Sequence, residues 1–253
     1  MKLSVTIITL NEVSSIGAVL DSVAFADEII VLDAGSTDGT VALCREKGAR
    51  VEITSDWQGF GYQKNRALNL AKGEWVLSVD ADEVLSPLLA KEIQSMIQKQ
   101  DNYVAWMIPR ASSYCGHVMR HGGWWPDYVL RLVKREGSRF SDDMVHERLI
   151  PPHGQVGRLA HPFQHKTYEN LEEVLQKVNR YSSEGAAQAF KAGKRTHFHE
   201  AVLHGLWAFI RTYILRVAFL DGPHGLMLAV SNAEATYYRY LKLWLLGQSE
   251  QKK

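Results

Sequence analysis

Apolar and polar positions along this chain follow two rhythms in succession. Residues 3–9 form a short apolar run rich in β-branched side chains, the pattern of a strand covered on both faces. Ile16, Leu20 and Val23 then recur at helical spacing. Residues 28–32 read as a second strand ending at Asp33, and 34–40, with Gly35, Gly39, Ser36 and Asp38, as a turn with a helix N-cap. A helix over 41–47, a strand over 50–53, a helix over 62–71, a strand over 75–79 and a helix over 87–99 complete the series. Four strand–helix units in a row predict a parallel sheet with helices on both faces, joined by right-handed crossovers.

From Tyr103 the rhythm changes. Residues 103–108 and 128–133 read as strands around a loop, 116–126, rich in Gly, His and Trp. Beyond Glu169 the chain reads as helix to its end. Leu171, Val174, Leu175 and Val178 form one stripe, and 204–220 and 226–246 are apolar helical segments broken at 221–225. The expected division is therefore a catalytic domain over 1–168 and a helical extension over 169–253.

Ligands of such a sheet bind outside the carboxyl ends of its strands. The polar residues there are Thr9, Asn11, Asp33, Asp80 and Asp82. Asp80 and Asp82 stand two apart, so in extended chain they point the same way. Two carboxylates facing one crevice call for a cation between them, and Mg2+ or Mn2+ carrying a diphosphate suits hard oxygen ligands. For Asp33 the chemistry is acceptance of hydrogen bonds from a base or ribose, with Gly35 letting backbone approach closely. Gly35 and Gly39 alone do not make a dinucleotide fingerprint, and Ser36 and Asp38 are expected to cap the helix. Lys64, near a helix start, opposes the helix dipole unless an anion sits nearby. A third cluster, Asp142, Asp143, His146 and Glu147, offers a carboxylate base and an imidazole.

Composition narrows the classes. The chain has 253 residues, 46% of them hydrophobic and 23% charged, enough for a full core. A formal net charge of +1 argues against a general nucleic-acid binder. Cys44 and Cys115 have no metal-ligand spacing, and a reducing cytoplasm is the simplest compartment. Neither His161 with His165 nor His197 with His199 completes a zinc pattern. The N-terminal run reads as a first strand rather than a signal peptide, and no stretch of about 18 uncharged apolar residues predicts a spanning helix.

Five ordered motifs resemble the family 2 inverting glycosyltransferases with the A-type fold: Thr6 through Glu12, Asp33 through Asp38, Gln63-Lys64-Asn65, Asp80 through Glu83, and Val145-His146-Glu147. The resemblance implies a mostly parallel, Rossmann-like α/β sheet flanked by helices, with the helical extension at the C-terminus. It also implies a nucleotide-diphospho-sugar donor, commonly a UDP-sugar, lying across the strand ends. Thr9, Asn11, Glu12, Asp33 and Lys64 would line the nucleotide, Asp80 would touch ribose or metal, and Asp82 would hold Mg2+ or Mn2+. Glu147 would be the base, His146 would sit near the diphosphate or metal, and Lys64 or Arg131 would steady the departing UDP. Some members carry paired acids as the base, which keeps Asp142 and Asp143 open. Trp124 through Arg131 and Phe219 through Gly222 are similar to lipopolysaccharide core transferases that add β-1,4-glucose to a heptose.

The tail carries a membrane signature. Between Lys191 and Arg216 stand Lys191, Lys194, Arg195, Arg211 and Arg216 against a single acid, Glu200, and Trp207, Ile210, Ile214 and Val217 share a helical face. Such a segment suits an anionic surface, with the protein expected peripherally on the cytoplasmic face of the inner membrane and a lipid-linked saccharide as acceptor. Trp124, Trp125 and Tyr128 would form a platform or lid for a sugar ring. The alternatives are a polyprenyl phosphate acceptor or a nucleotide-binding membrane adaptor without turnover.

Overall fold

The computed structural model describes residues 1–99, 102–141 and 147–251. The first part of the chain runs β1 (Leu3–Thr9), α1 (Ile16–Ser22), β2 (Glu28–Asp33), α2 (Thr40–Glu46), β3 (Arg50–Ile53), α3 (Phe60–Leu70) and β4 (Trp75–Asp80). Then come β5 (Glu83–Leu85), α4 (Pro87–Gln98), β6 (Tyr103–Tyr114), β7 (His117–Val118), β8 (Asp127–Lys134), β9 (Arg139–Phe140) and β10 (Leu149–Ile150). The chain ends with β11 (Gln155–Arg158), β12 (Phe163–Tyr168), α5 (Leu171–Lys191), α6 (Phe198–Ile210) and α7 (Gly222–Gln251).

It divides into two compact units, 1–110 with 128–165, and 111–127 with 166–253. The boundary expected at 168/169 thus falls at 165/166, and the loop read as part of the catalytic domain groups with the helices.

In the first unit the strand order is β3-β2-β1-β4-β8-β6-β12-β5, with β11 beside β6. β1 lies parallel between β2 and β4, which explains its unbroken apolar pattern, since both faces are covered. Val5, Ile7, Ile16, Val19, Leu20, Trp75, Leu77, Leu89 and Ile93 form the main core. Each fully buried aliphatic side chain there contributes roughly 1.5–3 kcal/mol. Register sets the site: Thr9 pairs with Asp33 and Ile8 with Asp80, so three strand ends finish level. Gly73 allows this, because a Cβ there would stand 2.6 Å from the Ser4 nitrogen.

The sheet is mixed rather than wholly parallel, since β8 runs antiparallel to β4 and β12 antiparallel to β5. The short strands β5, β7, β9, β10 and β11 are not visible as sequence patterns. Pairing partners, rather than their own two to four residues, define them. α4 begins as its sequence suggests, with the Ser86 hydroxyl accepting from the Leu89 amide and Pro87 in the first turn.

The second unit is built on α5, α6 and α7. Here the expected break at 221–225 is displaced. α6 continues into a wide π-turn over Arg211–Leu215, and Val217 takes the left-handed conformation at φ 49°. A 3₁₀ turn, Ala218–Asp221, then leads into α7. Gly222 and Pro223 therefore open a helix instead of separating two, as proline's lack of an amide donor permits in a first turn. Asp221 is buried and ties this corner to the loop before it. It accepts from the amides of Arg120 and His121 and faces the His121 ring nitrogen at 2.9 Å.

Candidate active site

A cavity of about 1040 Å³ opens at the ends of β1 and β4. Of the residues expected at a site, Thr9, Glu12, Lys64, Asp80, Asp82, Arg131 and Glu147 line it. The motif after β4 does not present two equivalent carboxylates. Asp80 is taken up on both oxygens: Oδ1 lies 2.8 Å from the Lys64 ammonium and Oδ2 2.5 Å from the Arg131 guanidinium. Glu83, with 1% of its side chain exposed, lies 2.5 Å from the same guanidinium and accepts the Asp80 amide at 3.0 Å. Burial alone would raise the Asp80 carboxyl, but Arg131 and Lys64 outweigh it and hold it well below the usual carboxylate range. Glu83 is pushed up, because burial and the neighbouring Asp80 charge exceed the help from Arg131. Desolvation opposes the charge on Arg131, yet the two carboxylates raise it further above its ordinary value.

Asp80, expected at ribose or metal, and Arg131, expected at a leaving diphosphate, are thus paired with each other while both line the cavity, Asp80 with 32% of its side chain exposed. Lys64 is likewise committed, for its ammonium also meets Glu147 Oε1 at 2.8 Å. α3 begins at Phe60, so Lys64 lies a turn inside the helix rather than at its start, and its charge is matched by two protein carboxylates. Glu147 is 15% exposed, and Lys64 orients its carboxyl beside Asp80. His146, Asp142 and Asp143 lie outside the described residues.

Asn11 and Asp33 do not line the cavity. Asp33 is fully buried and accepts from the Gly35 and Ser36 amides and the Ser36 hydroxyl. Asn11, at φ 57°, accepts the Thr37 amide and donates its own amide to Ser36 Oγ. These residues lock the loop after β2 onto the end of β1. Asp38 acts similarly, accepting the Thr40 amide within the first turn of α2 and the Val13 amide across the loop. Thr9 is 6% exposed, and its buried hydroxyl has no hydrogen-bond partner among the described residues.

Asp82 remains open, with 39% of its side chain exposed and Oδ2 3.1 Å from His165 Nε2. No group of three metal-type side chains exists among the described residues. A divalent ion here would draw one carboxylate and one imidazole from the protein and its other ligands from phosphate and water. That is how Mg2+ and Mn2+ are commonly held, so the donor set fits. His165 was passed over because its spacing to His161 suggested only an incomplete zinc pattern. His161 instead pairs with Glu92 at 2.8 Å, and only the antiparallel pairing of β12 with β5 carries His165 to Asp82. Arg148 was also missed. It lines the cavity, is exposed and has no carboxylate partner among the described residues, and its position next to Glu147 was the available signal. Cys44 and Cys115 are free thiols, and burial pushes Cys44 up to about 11, so it is chemically quiet.

Residues 4–151 match the family model described as glycosyl transferase family 2. An uncharacterized glycosyltransferase of Rickettsia prowazekii is 31% identical over 253 residues, covering 96% of this chain and 86% of that protein. The lipopolysaccharide core biosynthesis glycosyltransferase LpsC of Rhizobium meliloti is 29% identical, covering 96% and 92%. Glucosyl-3-phosphoglycerate synthase of Mycobacterium tuberculosis, solved with Mn2+, UDP and glucosyl-3-phosphoglycerate, aligns at 27% identity over 44% of each chain with a TM-score of 0.38. That overlap is too slight to inform ligand positions. The level strand ends, the mixed α/β sheet and the family match agree with the expected A-type architecture, and the chain belongs to glycosyl transferase family 2.

Proposed function

We propose that this glycosyltransferase is an inverting enzyme that moves glucose from UDP-glucose to a heptose hydroxyl of the lipopolysaccharide inner core, with Mg2+ or Mn2+ as cofactor, at the cytoplasmic face of the inner membrane. The observation that carries the chemistry is the carboxylate of Glu147, held at the cavity by Lys64 while Asp82 stays open at the same cavity. The similarity to LpsC supports the lipopolysaccharide core as the acceptor class.

In this reading the acceptor hydroxyl attacks the anomeric carbon from the face opposite the diphosphate. The new carbon–oxygen bond forms as the bond to the phosphate oxygen breaks, Glu147 takes the hydroxyl proton, and UDP departs. One displacement inverts an α-linked donor to a β-linked product. Asp82 and His165 would hold the divalent ion, which supplies charge for the leaving diphosphate. Arg148 adds a cation at the same cavity. Lys64, Arg131 and Glu83 act by holding Asp80 and Glu147 rather than by touching phosphate.

The test is transfer and donor hydrolysis by purified protein with Mg2+ or Mn2+, a panel of nucleotide sugars, and heptose-containing core lipid or polyprenyl phosphate. UDP release only with UDP-glucose and core lipid is the expected result. Glu147→Gln should lower transfer about 10²–10⁴-fold while UDP binding persists. Turnover unchanged in that variant would remove Glu147 as the base. Metal-independent nucleotide binding without release from any pair would leave a non-catalytic adaptor.

A further inference from the structure

α6 is built inside out. Its inward face carries small residues, Ala201, Gly205 and Ala208, all buried, and a Cβ on Gly205 would stand 3.1 Å from that of Tyr237 on α7. Its outward face carries the large ones: Phe198, Val202, Leu203, Leu206 and Trp207 are 48–60% exposed. A helix on a water-soluble surface shows the opposite order, whereas small residues inside and large apolar residues outside are the pattern of helices packed in lipid. The exposed apolar surface continues around the corner into α7, through Ile214, Leu215, Phe219 and Leu220, which are 46–61% exposed. So many large apolar side chains together exceed what a monomeric soluble protein usually shows to water.

The charge around that surface is mostly of one sign, the acid on α6, Glu200, being held by the Thr196 hydroxyl and the His197 amide at the helix start. Between residues 201 and 233 the sole acid is Asp221, and 4% of its side chain is exposed because it holds the 120–121 amides. Arg211 and Arg216 flank the corner, both exposed, and neither pairs with a carboxylate among the described residues. Arg120 lies over the Trp125 ring at 4.7 Å, also without a carboxylate partner among them. Two-fold contact with a second copy would press like charges together, whereas an anionic lipid surface complements them. Among the described residues no single helix is long and apolar enough to cross a bilayer; the helices either side of the corner reach that length and composition only as a pair bent by 70°.

We propose that the outer face of α6 and the corner at residues 211–221 form a docking surface that dips into the headgroup and acyl boundary of an anionic bilayer without spanning it. The aliphatic and aromatic side chains of the corner enter the acyl boundary, and Arg120, Arg211 and Arg216 meet lipid phosphates. Docking of this kind requires no sugar transfer, so its test stands apart from that of the enzymatic reading.

The experiment is co-flotation of the full-length protein with vesicles of phosphatidylcholine, with or without phosphatidylglycerol, alongside light scattering without lipid. The wild type should float with the anionic vesicles and more weakly with the neutral ones. Leu215→Asp with Leu220→Asp should abolish flotation on both. Arg211→Gln or Arg216→Gln should each weaken anionic binding about fivefold and leave neutral binding alone. Leu171→Asp, at an exposed position on α5, should float as wild type, and equal melting temperatures would show that the variants fold. Absence of wild-type flotation, or flotation unaffected by the paired aspartates, would overturn the proposal. So would a stable dimer in solution that the same aspartates dissociate, because the face would then belong to a second copy.

Discussion

Removing the Arg131 guanidinium leaves Glu83 without a cation and Asp80 with Lys64 alone, and replacing Glu83 should repair most of the damage. Arg131 meets Asp80 and Glu83, each at 2.5 Å, with only 11% of its side chain exposed. Unit charges about 4 Å apart attract by about 4 kcal/mol at the effective dielectric of partly buried sites. Withdrawing a guanidinium from water costs several kcal/mol in return, and breaking such a buried cluster from one side typically costs about 3–5 kcal/mol. Arg131→Met should therefore lower the melting temperature by about 10 °C or more, at roughly 2–4 °C per kcal/mol for a chain near this size. In Arg131→Met with Glu83→Gln, the carboxylate left without a cation is gone, while Asp80 keeps Lys64. The Gln carbonyl can still accept the Asp80 amide, and its NH2 can donate to Asp80 Oδ2, so more than half the loss should return. Transfer should stay low in both variants, because Asp80 has lost its guanidinium partner. The assay is thermal and urea unfolding of the two variants beside Glu83→Gln alone. If the single and double variants melt together, or Arg131→Met melts within about 2 °C of wild type, the charge argument is wrong.

Three further outcomes follow from the same geometry. Asp82→Asn should weaken Mn2+-dependent UDP binding sharply, and His165→Ala about 10–100-fold, both read by calorimetry with and without metal. UDP affinity that keeps its metal response in Asp82→Asn would remove Asp82 as the ligand. The Asp80 carboxyl is held low, so its contribution to stability is complete above about pH 5 and lost as pH falls through its folded value. The stability deficit of Asp80→Asn in urea should accordingly stay constant above about pH 5 and narrow steadily as pH falls below it, and a deficit unchanged on acidification would contradict the pairing. A Cβ at Gly225 would lie 1.7 Å from the Ala218 carbonyl oxygen, so Gly225→Ala should destabilise by more than about 2 kcal/mol. Gly17→Ala, whose Cβ would meet Leu43 at an ordinary 3.5 Å, should melt no lower than wild type.

Local pattern was enough to place the elements from β1 through α4, apart from the three-residue β5, within a residue or two, because buried parallel strands and amphipathic helices write their periods directly into the chain. Asp80 and Asp82 stand out at the end of an apolar run, whereas Glu147 stood only in a polar cluster with His146 and entered as the base through the family resemblance. The same pattern misjudged the corner before α7, where Asp221-Gly222-Pro223 reads as a breaker but opens a helix, and the left-handed turn falls on Val217 instead. Only the tertiary structure decided what each polar side chain is for. Lys64 meets Glu147 across 83 residues and Arg131 meets Asp80 across 51. His165 reaches Asp82 only through the register of β12 on β5, and Asp33 turned out to hold its own loop. The inverted faces of α6 were equally hidden, since a sequence shows that apolar residues recur but not which side of the helix its neighbour covers. Secondary structure depends on neighbours along the chain, whereas the use of a charge depends on which distant group the sheet's register brings within about 3 Å.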